Sequence, residues 1–173
     1  MKNNIRKLTM SSVVLLGLLA RFIPHPPNFV PINAIGLFSG SRFGKTTAII
    51  IPLLIMIISD VFLGFHKTMI FVYLSLVLTI CLGFRIGKFS FGKLLVYSLL
   101  SSLIFFVITN FGVWLLFDMY PKTMSGLINC YVMAIPFFGN TILGDLFYTY
   151  VVFYGFSFVE NKLINKIQNW GTL

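Results

Sequence analysis

Apolar residues fall in six long stretches, separated by short intervals that hold most of the charge: Leu8 to Ile23, Phe29 to Phe43, Thr46 to Leu63, Met69 to Phe84, Leu94 to Phe117, and Gly126 to Val159. A helix needs about 20 residues to cross the hydrocarbon core, about 17 at the lower limit. The first five stretches therefore predict spans over 8–23, 29–43, 46–63, 69–84 and 94–117. The sixth is too long for one span, and Pro136 with Gly139 and Asn140 interrupts it. Proline clashes with the preceding helical turn, and Gly-Asn favours a turn. A short half-helix over 125–138, lying in or re-entering the outer leaflet, is thus expected before a last span over 141–160. Segment 29–43 is short and carries Pro31 and Asn33, so a re-entrant hairpin is its other reading.

Charge decides between the two. With six spans and the N-terminus inside, Lys2, Arg6, Lys7, Arg42, Lys45, Arg85, Lys88, Lys93, Lys162 and Lys166 face the cytoplasm, and Arg21, Lys67 and Lys122 face outward, a ratio of 10 to 3. Making segment 29–43 re-entrant inverts every later loop and gives 5 to 8. Cytoplasmic loops carry the excess of Lys and Arg, so the sequence predicts an all-α integral membrane protein: a single domain over 1–173, six transmembrane helices and both termini cytoplasmic, in a bacterial inner membrane.

Composition agrees. The chain of 173 residues is 58% hydrophobic, 17% aromatic and only 10% charged, against roughly 25% charged in soluble domains. The net charge of +9 does not point to nucleic acid, because its Lys and Arg residues sit between apolar runs rather than in a stripe on a folded surface. Lys2, Arg6 and Lys7 before an apolar run imitate a signal peptide. No small-residue cleavage site follows, so a retained first span is expected. Cys81 and Cys130 lie in apolar segments without a CxxC partner and read as small buried hydrophobes.

Some motifs fail on inspection. Gly40-Ser41-Arg42-Phe43-Gly44-Lys45-Thr46 imitates a phosphate-binding loop but is one residue short of the spacing that wraps backbone amides around phosphates. Gly36 and Gly40 fit GxxxG, and Ser98 and Ser102 are small residues four apart; both suit close helix packing within the chain. No HExxH, GxSxG or paired catalytic carboxylates occur, so no enzyme, metal site or cofactor is expected.

The polar residues that remain share one face. With six spans, Asp60, Asp118, Asp145, His25 and His66 all fall at the outer side. An ionisable group inside the bilayer is by default a functional one, which selects Asp60 and Asp145; each is expected to face the bundle interior, a water-filled cavity or a partner such as Arg21 or Lys67, a structural ion pair being the other reading, and Asp118 reads as a solvated loop charge. The loop from Arg21 to Pro31 holds four prolines, Pro24, Pro26, Pro27 and Pro31, which stiffen it and fix where His25 and Asn28 point. Asn110 and Trp114 lie four apart on one helical face of the fifth span, and Asn140 precedes the last one. A binding site for a small solute is expected from His25, Asn28, Asp60, Asn110, Trp114, Asn140 and Asp145, with Pro24, Pro26 and Pro27 as a covering loop. Two rivals are a metal-dependent membrane hydrolase or transferase using His25, His66 and Asp60, and a structural subunit packing on a partner through Gly36 and Gly40.

Four segments carry a resemblance: Arg21 to Ile32, Ser59-Asp60-Val61-Phe62-Leu63-Gly64, Thr109-Asn110-Phe111-Gly112-Val113-Trp114, and Pro136 to Asp145. Over nearly the whole chain they resemble a family of small uncharacterised bacterial membrane proteins that looks related to the substrate-binding S components of energy-coupling factor (ECF) transporters. The resemblance implies a six-helix protein that captures a vitamin or similar micronutrient at its outer side and docks on a transmembrane coupling subunit with two ATPases. S components commonly carry an AxxxA pattern in the first helix for that docking; around Gly17 and Ala20 this chain has none.

Overall fold

The computed structural model describes residues 2–170, and side chains from 8 to 162. These residues form six helices, α1 (Lys2–Phe22), α2 (Ile32–Arg42), α3 (Lys45–Leu63), α4 (Met69–Gly83), α5 (Phe91–Leu116) and α6 (Met124–Trp170). The chain reverses at each connection. Arg21 at the end of α1 pairs with Asp60 at the end of α3, whereas Thr9 near the start of α1 meets Glu160 far along α6. Loops 23–31, 64–68 and 117–123 gather at one end, where Lys67 Nζ lies 5.5 Å from the Phe117 ring. At the other end Arg42 lies 5.4 Å from the Phe89 ring, which joins the α2–α3 and α4–α5 connections. The side chains of Lys2, Arg6, Lys7 and Lys166, which weigh in the charge count, lie outside the described residues.

Helix α2 is the hub. Every residue from Ile32 to Gly40 is buried, so its small side chains face neighbours on all sides. A Cβ on Gly36 would lie 3.0 Å from Leu76 Cδ1, and one on Gly40 would press into the carbonyl oxygen of Ile80 and lie 2.9 Å from Gly83 Cα. Reciprocally, a Cβ on Gly83 would lie 2.5 Å from Leu37 O. The backbones of α2 and α4 thus cross in direct contact, and GxxxG is used inside the chain. Below this crossing Phe38 packs edge-on against Phe153, with ring centres 5.3 Å apart.

Three helical stretches are long and apolar enough to cross a membrane: Lys45–Leu63, Phe91–Leu116 and Met124–Lys162. Leu8–Phe22 and Met69–Gly83 are apolar but shorter. Large apolar side chains such as Leu15, Leu19, Ile57, Leu103, Val107, Val132 and Val151 stay exposed on the outside of the bundle, as a lipid-facing surface requires.

Two expectations need correction. Segment 29–43 is helical only from Ile32. Its eleven residues rise about 16 Å, about half of the ~30 Å hydrocarbon core, because Phe29 and Val30 belong to the loop and Pro31 stands at the helix N-terminus. The half-helix over 125–138 and the separate span over 141–160 are one continuous helix of 47 residues. Contacts between α5 and α6 on both sides of Pro136 outweigh the local turn preference. Before it, Tyr131 OH donates to Val107 O at 2.8 Å; beyond it, Ser102 and Tyr150 bridge the same two helices. The proline removes one donor from the ladder without breaking the line, as transmembrane helices tolerate.

Candidate functional site

The loop between α1 and α2 is folded by its own prolines. Phe29 N donates to Pro26 O at 3.0 Å, with Pro27 and Asn28 between them and Asn28 at φ 65°. Proline second and a positive-φ asparagine third make a type II turn, and asparagine tolerates that conformation better than other side-chain-bearing residues. The turn throws Phe29 onto α6, where its ring centre lies 6.0 Å from Phe147 and 5.5 Å from Tyr148. Gly144 permits this approach, since a Cβ there would lie 3.0 Å from Phe29 Cα. Asn28→Val is therefore expected to destabilise the protein by about 1–3 kcal/mol and Asn28→Gly to leave stability nearly unchanged, as read by thermal unfolding in detergent.

Beneath this loop lie two adjoining cavities. The larger, about 330 Å³, is walled by Phe105, Phe106, Phe137 and Phe138, with Asn28, His66, Thr68, Thr109, Asn110 and Thr141 supplying polar atoms. The smaller, about 220 Å³, adds Arg21 and His25 and shares Asn28, His66, Val72 and Phe105 with the first. Asn110 spends its Nδ2 on Phe106 O at 2.8 Å, and among the described residues nothing bonds its Oδ1. His25 Nδ1 lies 2.9 Å from Pro26 O, and His66 Nδ1 lies 3.0 Å from Thr68 Oγ1.

The expected site residues divide into three groups. His25, Asn28 and Asn110 line the cavities. Asp60 and Asp145, both 1% exposed, lie behind them in separate polar clusters. Asp60 accepts from Arg21 Nη2 at 2.5 Å and from Tyr73 OH at 2.7 Å; Arg21 also reaches Met56 Sδ. Asp145 accepts from Asn33 Nδ2 at 3.0 Å and Ser102 Oγ at 2.7 Å. Trp114 and Asn140 line neither cavity. Trp114 Nε1 donates to Pro121 O at 2.9 Å, and Lys122 Nζ reaches the carbonyls of Trp114 and Phe117, so Trp114 fastens the α5–α6 connection. Pro24, Pro26 and Pro27 are exposed on the loop, and Asp118 is exposed as a loop charge should be.

Of the two basic residues that sequence reasoning offered as partners for the buried aspartates, Arg21 pairs with Asp60 and Lys67 does not. It missed Tyr73 and the phenylalanine wall, because aromatic residues at helical spacing do not show which face is inward. Among the described residues no three His, Cys, Asp or Glu side chains come together as metal ligands would, and both cysteines are free.

A helical bundle with apolar outer faces, buried polar clusters and an aromatic cavity at one end defines a membrane protein. The chain belongs to the Family of unknown function (DUF6580), whose model matches residues 1–167. No curated protein and no solved structure matches it.

Proposed function

We propose that this protein is a six-helix solute-binding subunit of the bacterial cytoplasmic membrane, which captures a small flat, vitamin-like molecule at its outer face in the manner of an ECF S component. The single observation that carries the reading is the cavity of about 330 Å³ under the proline-rich loop. Its volume falls in the range of roughly 300–1,000 Å³ typical of small-molecule sites, as does its character of mostly apolar walls with a few placed polar groups. The phenylalanines suit an aromatic ring, and Asn28, Thr109, Asn110 and Thr141 suit its hydrogen-bonding edge. The loop is anchored by Phe29 and stiffened by its four prolines, so little ordering entropy is lost on binding.

Asp60 and Asp145 hold the walls rather than touch the solute in this scheme, and energy for uptake comes from a separate coupling subunit and its ATPases. Gentle purification followed by mass spectrometry of released small molecules tests it. A retained compound should rebind saturably, and Asn110→Leu should weaken that binding at least about tenfold, the worth of one hydrogen bond to a buried group, while thermal unfolding changes little. Absence of any saturable small ligand, or undiminished binding by Asn110→Leu, refutes the pocket.

A further inference from the structure

The two buried carboxylates are neutralised differently. Asp60 has the Arg21 guanidinium at 2.5 Å. Asp145 has no cationic group within 4.0 Å among the described residues; its partners are the neutral donors of Asn33 and Ser102, and both bonds fall on Oδ2. Two neutral hydrogen bonds return far less than the loss of hydration of an ionised carboxylate. An ionised Asp145 therefore needs a cation that no side chain among the described residues supplies, and without one the carboxyl must hold a proton.

Further oxygens without a hydrogen-bond partner among the described residues lie beside Asp145 or within one helical turn of it. Asn33 turns its Nδ2 to Asp145, so Oδ1 of the same amide stays beside the carboxylate, unpartnered and in a residue 3% exposed. Ser98 and Thr149, fully buried, also have unpartnered hydroxyl oxygens. The antiparallel register of α5 and α6 sets these two at one level: Ser102 meets Asp145, and one turn back along α5 and one turn on along α6 brings Ser98 opposite Thr149. The cluster offers one carboxylate, one amide oxygen and three hydroxyls, drawn together from α2, α5 and α6. Hard oxygen ligands suit alkali and alkaline-earth ions, and a single carboxylate balances one positive charge but leaves a divalent ion half-compensated in low dielectric.

Access is short. Thr141, one turn before Asp145 on α6, and Phe105 and Phe106, one turn beyond Ser102 on α5, line the larger cavity. We propose that Asp145, Asn33, Ser102, Ser98 and Thr149 form a buried site for a sodium ion directly beneath that cavity. The site stands on the interior charge balance and does not depend on what the cavity above it binds.

The full chain in nanodiscs, titrated with sodium chloride against choline chloride at constant ionic strength and pH, tests it. Ligand that binds only the folded state raises the melting temperature progressively with concentration. The expected result is a rise with sodium, none with choline, none in Asp145→Asn, and a sodium midpoint raised at least about tenfold in Thr149→Val. Binding of radiolabelled sodium to the unaltered protein, saturating near one ion per chain, gives the same answer should Asp145→Asn fail to fold. No sodium-dependent stabilisation, or an equal rise in choline or in Asp145→Asn, overturns the site. Stabilisation that follows pH in sodium-free buffer and disappears in Asp145→Asn also overturns it, since a proton then holds the carboxylate.

Discussion

Arg21→Ala is expected to lower the stability of the bundle by about 3–5 kcal/mol, the loss seen when one partner of a buried ion pair is removed. The Arg21 side chain is 15% exposed and that of Asp60 1%, so the carboxylate would lose its one cationic partner among the described residues. Asp60 would keep only the Tyr73 hydroxyl at 2.7 Å, and the ends of α1, α3 and α4 would lose their common tie. Asp60→Asn should be milder, because a neutral amide in that place needs no counter-charge. The double change Arg21→Met with Asp60→Leu should restore most of the stability, as replacement of a buried pair by apolar residues often does. Unfolding of the detergent-solubilised variants by heat or denaturant checks the order. If Arg21→Ala proves no worse than the double variant, the pair is not what holds these three helix ends.

Gly40→Leu is expected to cost about 3 kcal/mol or more, the upper end of overpacking penalties. Its side chain would have to enter where the carbonyl oxygen of Ile80 and the Cα of Gly83 stand, and neither backbone can step aside without moving a helix. Gly83→Ala should be destabilising for the reciprocal reason, with Leu37 O at 2.5 Å from the added carbon. By contrast Gly139→Ala, where a Cβ meets nothing within 4 Å, should be neutral or slightly stabilising because alanine is the better helix former. Yield of monodisperse protein and melting temperature, compared across the three, reads the difference directly. Equal tolerance of Gly40→Leu and Gly139→Ala would mean that α2 and α4 do not cross at these glycines.

Both predictions concern residues that the sequence marked only in part. Arg21 was one of two possible partners for the buried aspartates, and Gly40 was half of a GxxxG pattern whose facing helix was not named. The loop likewise showed its stiffness through Pro24, Pro26, Pro27 and Pro31, but not that Asn28 would take a positive φ or that Phe29 would dock against Gly144. Periodicity along a helix tells which residues share a face; it does not tell which neighbour that face meets. Asp145 illustrates the limit: its depth in the last apolar stretch was readable, whereas its neutral partners come from residues 112 and 43 positions away.

The sequence by itself determined the class of structure. Long apolar runs force helices wherever water is absent, since every backbone N–H and C=O must then be satisfied within its own segment, and four of the expected helices form within three residues of their predicted bounds. It also determined that Asp60 and Asp145 would need special surroundings, because ionised groups in an apolar interior cannot be left alone. Only the tertiary structure decided the rest. It made α2 a short core helix enclosed from Ile32 to Gly40, because its small residues let the other five helices close around it. It kept α6 continuous through Pro136, because packing against α5 on both sides holds the two halves in line. And it gave Asp60 an arginine and Asp145 only neutral donors, because which side chain reaches a buried carboxylate is set by how helices distant in sequence lie against one another.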